Sequence, residues 1–287
     1  MSAALLLVAV VGCMVGAAAM NRKGWAEEME IIEVKEAFSE IRIEDAECSV
    51  RVLRATDGKC KVVCPEKQDG SIYHTVAVSD GALSVQRHVR KWYQYIGISF
   101  GSPDVKIYLP EEAYGRLAIH TISGSIQVDD GFTFETASLE STSGSVRMRS
   151  EVKRKLEAES TSGRVTIENA SPERIEASSV SGRIALSHLR SDEIAVRSTS
   201  GGIELTDVIA ATNLDVRSVS GGVALDGCDG GAIRIETTSG SVKGTVLTEK
   251  DFIANSTSGS VSIPHSSAGG ACEISTTSGR IAIEVQR

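Results

Sequence analysis

The chain has 287 residues, with 38 acidic against 30 basic side chains and a formal net charge of −8. That balance disfavours nonspecific attraction to nucleic acid or to anionic lipid for the molecule as a whole. Hydrophobic residues make up 41% but aromatics only 4%, so the core must come from Val, Ile, Leu and Ala in thin regular layers, and five prolines leave no Pro-rich linker.

Residues 2–20, SAALLLVAVVGCMVGAAAM, are uncharged and about as long as an apolar helix that crosses a bilayer. Three readings fit them. The segment is a retained membrane anchor, or a signal segment cleaved at "AAAM" (17–20), or it carries a lipobox at "VVGC" (10–13) with Cys13 as the lipidated residue. Val stands first in that box where Leu is usual. No Lys or Arg precedes the run, while Arg22 and Lys23 follow it, which opposes export; Glu27, Glu28 and Glu30 partly offset them. The expectation is export: residues 1–23 form the anchor or signal segment, 24–30 a linker, and the rest faces outward at the cell membrane.

Residues 31–115 read as an irregular β region that caps the remainder of the chain. "SVRVL" (49–53), "CKVV" (60–63), "HTVAV" (74–78), "ALSVQR" (82–87) and "DVKIYLP" (104–110) alternate apolar and polar residues, with turns at "TDGK" and "SDGA". Cys48, Cys60 and Cys64 leave a disulfide open without singling out a pair, and no second CxxC-like pair completes a zinc site. Cys228 and Cys272 read as small buried residues. "RHVRKWYQYIGISF" (87–100) sets Arg87, His88, Arg90 and Lys91 beside Trp92, Tyr93 and Tyr95. Such a mixture suits a headgroup, glycan or protein partner, and equally a loop that packs its rings over the open end of a stack.

From 116 to 287 a repeat takes over. A Ser-Gly pair recurs with its glycine at 124, 144, 163, 182, 201, 221, 240, 259 and 279, spaced 19 or 20 residues apart. With glycine as position 0, apolar residues stand at −7 and −5 (Leu156/Ala158, Ile175/Ala177, Ile194/Val196) and again at +2 and +4 (Val165/Ile167, Ile184/Leu186, Ile203/Leu205). Each half is a strand with one buried face, and the face changes parity at the glycine, which requires a bend there. One such unit cannot cover its own apolar face, so neighbours must stack. The fold expected is all-β: a single-stack parallel β-solenoid of nine Ser-Gly coils behind the apolar helix and the irregular cap. Both hydroxyl columns fall on the inward parity, at −3 (Thr121, Ser141, Ser160 and their equivalents) and at −1 (Ser123, Ser143, Ser162, Ser181, Ser200, Ser220, Ser239, Ser258 and Ser278), and are expected to form internal ladders.

Serine catalysis needs a base, yet His74, His88, His120, His188 and His265 never recur in register. There is no GxSxG elbow, Walker A motif, HExxH or calcium-binding GGxGxD turn, and "SEVK" (150–153) is a short pattern expected by chance. The outward −2 rank (Ile122, Thr142, Thr161, Val180, Thr199, Val219, Thr238, Thr257, Thr277) is Thr- and Val-rich. Its neighbour at −4 is charged and irregular, so no flat ice-binding array forms, and β-propensity accounts for the Thr. Residues 133–287 hold only Phe134 and Phe252 as aromatics, too few for a sugar platform.

The early strand pairs, "VSDGALSVQR", the Trp in "RKWYQY", "DVKIYLPEEAYGRLAIHTISGSIQV" and the nine coils together resemble a bacterial adhesin-like family, a domain of unknown function with SG-rich β-strand repeats (DUF4097-like), over residues 35–287. The resemblance implies a membrane-anchored envelope protein without catalytic residues, linked in some members to envelope stress and antimicrobial peptides. The expected function is therefore a non-enzymatic adhesion or envelope-stress module with no cofactor. Its partners would be the membrane, through the N-terminal segment, and an envelope protein, glycan or antimicrobial peptide, with no nucleic acid. The competing reading is a carbohydrate-active β-helix enzyme using scattered acids such as Glu140, Glu157 and Glu159.

Overall fold

The computed structural model describes residues 27–67, 72–89, 104–266 and 268–286, and these contain strands, turns and bends but no helix. The apolar helix expected over 2–20, with Cys13, lies outside the described residues; no described helix is long and apolar enough to cross a membrane. Seven strands come first: β1 (Glu27–Val34), β2 (Glu40–Asp45), β3 (Ser49–Arg54), β4 (Cys60–Lys67), β5 (Ile72–Ser79), β6 (Ala82–Val89) and β7 (Asp104–Leu109). The repeat then supplies β8 (Ala113–Thr121), β9 (Ile126–Val128), β10 (Thr133–Ser141), β11 (Val146–Met148), β12 (Glu151–Ser160), β13 (Val165–Glu168) and β14 (Arg174–Ser179). Three long bent strands come next, β15 (Ile184–Ser198), β16 (Ile203–Ser218) and β17 (Val223–Thr237), each crossing a corner without losing its pairing. The chain ends in β18 (Val242–Val246), β19 (Asp251–Ser256), β20 (Val261–Ser262), β21 (Ala271–Thr276) and β22 (Ile281–Val285).

Within the repeat every pairing is parallel, with register shifts confined to the corners and irregular spots, so Leu139 faces Ala158 and Ala158 faces Ala177 in the next coil. The expected −7/−5 and +2/+4 columns form one continuous core, with Leu156, Ile175, Val196, Val216, Ile203 and Ile281 fully buried, except on the Gly259 coil, where Val261 is exposed and Phe252, Ala254 and Ile263 are partly buried. Small and branched side chains suit this arrangement because each residue packs on its own equivalent one coil away.

The stack does not begin at residue 116. β2 and β3 lie parallel against β8 and β9 and supply a coil without a Ser-Gly pair. β6 and β7 lie against β2 and β3 on the other side, so β6 and β7 form the outermost coil and β2 and β3 the coil beneath it. Antiparallel strands finish this end: β5 along β6, and β4 between β1 and β7. The far end is laced in the same way. β17 and β18 pair with β21 and β22, and β19 and β20 pair with the outer side of β21 and β22. The last coil in sequence is thus the penultimate coil in space. The buried Lys250 fastens the crossing, its Nζ 2.6 Å from Asp229 Oδ1 and donating to the Gly230 carbonyl at 2.7 Å.

One hydroxyl column behaves as expected and the other does not. At −3, Ser160 Oγ accepts from its own Gly163 N–H at 2.8 Å and donates to the Gly144 carbonyl of the coil below at 2.9 Å. Ser141 does the same between Gly144 and Gly124. At −1, the side chains of Ser123, Ser143, Ser162, Ser181, Ser200, Ser220, Ser239, Ser258 and Ser278 are all exposed, contrary to the internal ladder expected of them. The strand ends at −3, so period-two alternation stops there and the bend turns −2 and −1 outward together. What these serines add to the stack is backbone: Ser143 N–H donates to the Ile122 carbonyl at 2.8 Å and Ser162 N–H to Thr142 at 2.9 Å.

The glycines are required for close approach. None of the nine has a positive φ. A Cβ on Gly182 would stand 1.8 Å from the Gly163 carbonyl oxygen, and one on Gly144 1.9 Å from that of Gly124. In four coils a positive φ falls at a second corner six residues further on, at Asn169, His188, Asp207 and Gly227 (51° to 60°).

Candidate functional site

The outward columns on either side of the −3 hydroxyls rise into the walls of a shallow open groove of about 470 Å³ running across several coils. The −4 column gives Glu159, Ser178, Arg197, Arg217 and Glu236 in that order along the axis; the −2 column gives Val180, Thr199, Val219 and Thr238. Strand geometry fixes this, because −4 and −2 share the face opposite −3 and parallel in-register stacking repeats each position in every coil. Val180 and Val219 are 45% and 49% exposed, an apolar rail beside a charged one.

Two guanidinium groups occupy the middle of the charged rail. Arg217 Nε lies 3.1 Å from Asp215 Oδ1 and 3.5 Å from Glu236 Oε2. Arg197 has no hydrogen bond or ion pair to any described residue, and acts on Glu176 only through its longer-range charge. The groove floor is the chain of −3 hydroxyls: Ser198 Oγ and Ser218 Oγ donate to the Gly201 and Gly221 carbonyls at 2.7 and 2.8 Å. These hydroxyls are committed to backbone, and no histidine lines the groove.

The acids weighed for an enzyme stand on outward columns of the coils. Glu140 and Glu159 are register partners on adjacent coils, and Glu140 lies near His120 with a side chain 59% exposed. Glu157 belongs to another column and is paired with Lys155 at 2.5 Å. Of the basic–aromatic stretch, Arg87 and His88 are described, and Arg90, Lys91, Trp92, Tyr93 and Tyr95 lie outside the described residues. The Arg87 side chain is turned inward, 6% exposed, with Nη2 2.7 Å from Glu47 and Nε 4.0 Å from Asp45. His88 stacks on Tyr73 with ring centroids 4.9 Å apart.

Cys48, Cys60, Cys64, Cys228 and Cys272 are free and buried, with burial raising the Cys60 and Cys272 thiols to about 12. Asp45, Cys48 and His74 converge at the junction of the cap and the stack, a grouping no local spacing announced. His74 Nε2 lies 3.0 Å from Asp45 Oδ2, while Asp45 Oδ1 accepts from the N–H groups of Cys48 and Glu47 at 2.8 and 2.9 Å. Burial raises the Asp45 carboxyl, but the His74 bond and the two backbone donors outweigh it and hold it below the ordinary carboxylate value.

A single stack of parallel coils with inward hydroxyls at one bend defines a β-solenoid, a repeat architecture in which each coil packs only on its neighbours. The chain belongs to the Toastrack DUF4097 family, whose model matches residues 38–174 and again 171–287. Among solved structures it is similar to a "putative adhesin" from Bacteroides fragilis, 17% identical with a TM-score of 0.49, covering 90% of this chain and 97% of that one. It is similar also to a "putative adhesin" from Parabacteroides distasonis (14% identical, TM-score 0.47, covering 90% and 97%). A "putative lipid binding protein" from the same organism is likewise 14% identical, with a TM-score of 0.47 over 89% and 96% of the two chains. No curated protein matches.

Proposed function

We propose that this chain is a non-catalytic binding module of the cell envelope, an adhesin-like or envelope-stress component tethered through residues 2–20 with its solenoid outside the cytoplasm. The groove is its ligand site, and an extended anionic segment of an envelope polymer is the ligand. The observation that carries this is the pair Arg197 and Arg217 at the centre of an open groove, with Arg197 left without a bonded counter-ion. A ligand laid along the coils meets a charged rail and a Thr/Val rail at a constant spacing of about 4.8 Å, which favours a repeating polymer over a compact small molecule. An enclosed pocket and a poised acid–base pair, which glycoside hydrolysis requires, are both missing from the described residues around Glu140, Glu157 and Glu159.

The test is co-sedimentation of the purified protein with isolated cell-envelope material, comparing wild type with an Arg197→Glu, Arg217→Glu double variant. Binding should fall at least about tenfold in the variant and weaken with added salt. Equal sedimentation of the two proteins would move the ligand away from the groove.

A further inference from the structure

We propose that Asp45, Cys48 and His74 form a binding site for a divalent cation of the zinc type. Asp45 closes β2, Cys48 sits in the following bend, and His74 comes from β5 of the hairpin laid over the outermost coil. Three ligand atoms, one from each residue, lie within 4.8 Å of one another, and all three residues are buried. Zinc holds sulfur at about 2.3 Å and nitrogen or oxygen at about 2.0–2.2 Å, so side-chain shifts of about an ångström bring all three onto one ion. An imidazole, a thiolate and a carboxylate are the donor types that a borderline cation takes, and three protein ligands leave its fourth position open.

The surroundings suit an ion. His74 has a fully buried side chain, and the nitrogen that faces Asp45 is Nε2, so Nε2 is the one that would take the ion. Binding M²⁺ to the three groups breaks the Cys48 S–H bond and releases its proton to solvent. The backbone N–H groups on Asp45 Oδ1 already hold that carboxylate in one orientation, as outer-sphere bonds do around metal ligands.

The experiment is titration of the chelator-stripped full chain with Zn²⁺ by calorimetry, and with Co²⁺ by absorption for a thiolate-to-cobalt band. Wild type should take up one equivalent, show the band, and melt higher with zinc. Cys48→Ser, which keeps size and removes the thiolate, should lose the band and bind at least about 100-fold more weakly, and His74→Gln should behave alike. Cys272→Ser, at the far end of the stack, should bind as wild type does. If His74→Gln does not fold, Cys48→Ser carries the test alone. No stoichiometric uptake by wild type, or undiminished binding by Cys48→Ser, overturns the proposal and leaves the cluster a buried His–Asp pair.

Discussion

At the bends of Ser141, Ser160 and Ser179 one hydroxyl serves two backbone groups that the strand end would leave unpaired: the glycine N–H of its own coil and the glycine carbonyl of the coil below. Ser198 and Ser218 instead donate to the glycine carbonyl of their own bend. Ser160→Ala should therefore cost about 1–3 kcal/mol, because two buried polar groups lose their partner. Ser162→Ala, two residues away and exposed, should change stability by less than about 0.5 kcal/mol. Urea melts of the two variants check this contrast directly; equal losses would mean that the outward serine matters as much as the inward one. Gly182→Ala places its methyl 1.8 Å from backbone that cannot retreat without separating two coils, and should cost about 3 kcal/mol or more in the same melts. The −3 column was legible from parity alone. The −1 column was not, because parity holds only while the chain is extended.

At the scale of the element, the second corner explains how three coils run through it as single bent strands. Asn169, His188 and Asp207 are residue types enriched in the left-handed conformation, and Gly227 adopts it without steric cost; His188, at φ 54°, has an exposed side chain. His188→Gly should raise stability by about 0.5–1 kcal/mol, seen as a higher denaturation midpoint with an unchanged slope. The crossing between β18 and β19 makes a sharper case. Burial raises the Asp229 carboxyl, but its bonds to Lys250, Thr248 and the Gly230 N–H outweigh that and lower it overall. A carboxyl lowered on folding contributes stability that is complete above the ordinary value of about 4 and is lost as pH falls through its folded value. Lys250→Met should cost about 3–5 kcal/mol at neutral pH by leaving Asp229 buried and unpaired. It should also reverse the sign, since protonating Asp229 then relieves the variant. Denaturant melts across that pH range decide: a variant that loses stability in acid as steeply as wild type would show that the pair does not hold the crossing.

At the scale of the molecule, the lacing means that neither end of the stack is an end of the described chain. In a solenoid wound in strict sequence order the last coil frays first. Here β22 is paired on both sides and β20 on one, with Val261 41% exposed on the uncovered coil. Hydrogen exchange should accordingly find the amides of 251–262 opening before those of 271–285, although the latter come later in sequence. Slower exchange in 251–262 would contradict this coil order. The same lacing at the other end carries Asp45 and Cys48 under the hairpin that holds His74, so the proposed cation site exists only because the outermost coil is not the first one.

The repeat, its period, the inward apolar columns and the absence of a recurring base were all readable from the residues, because a β-strand maps sequence parity onto one face and a 19–20-residue period maps each coil onto the next. Tertiary structure alone decided which coil lies against which, where alternation breaks at the bend, and that an Asp, a Cys and a His from separate strands share one buried point. Coils with near-identical edges can pair with several neighbours equally well, so local pattern cannot order them; the close approaches at Gly279 and Gly259 and the buried Lys250–Asp229 pair do.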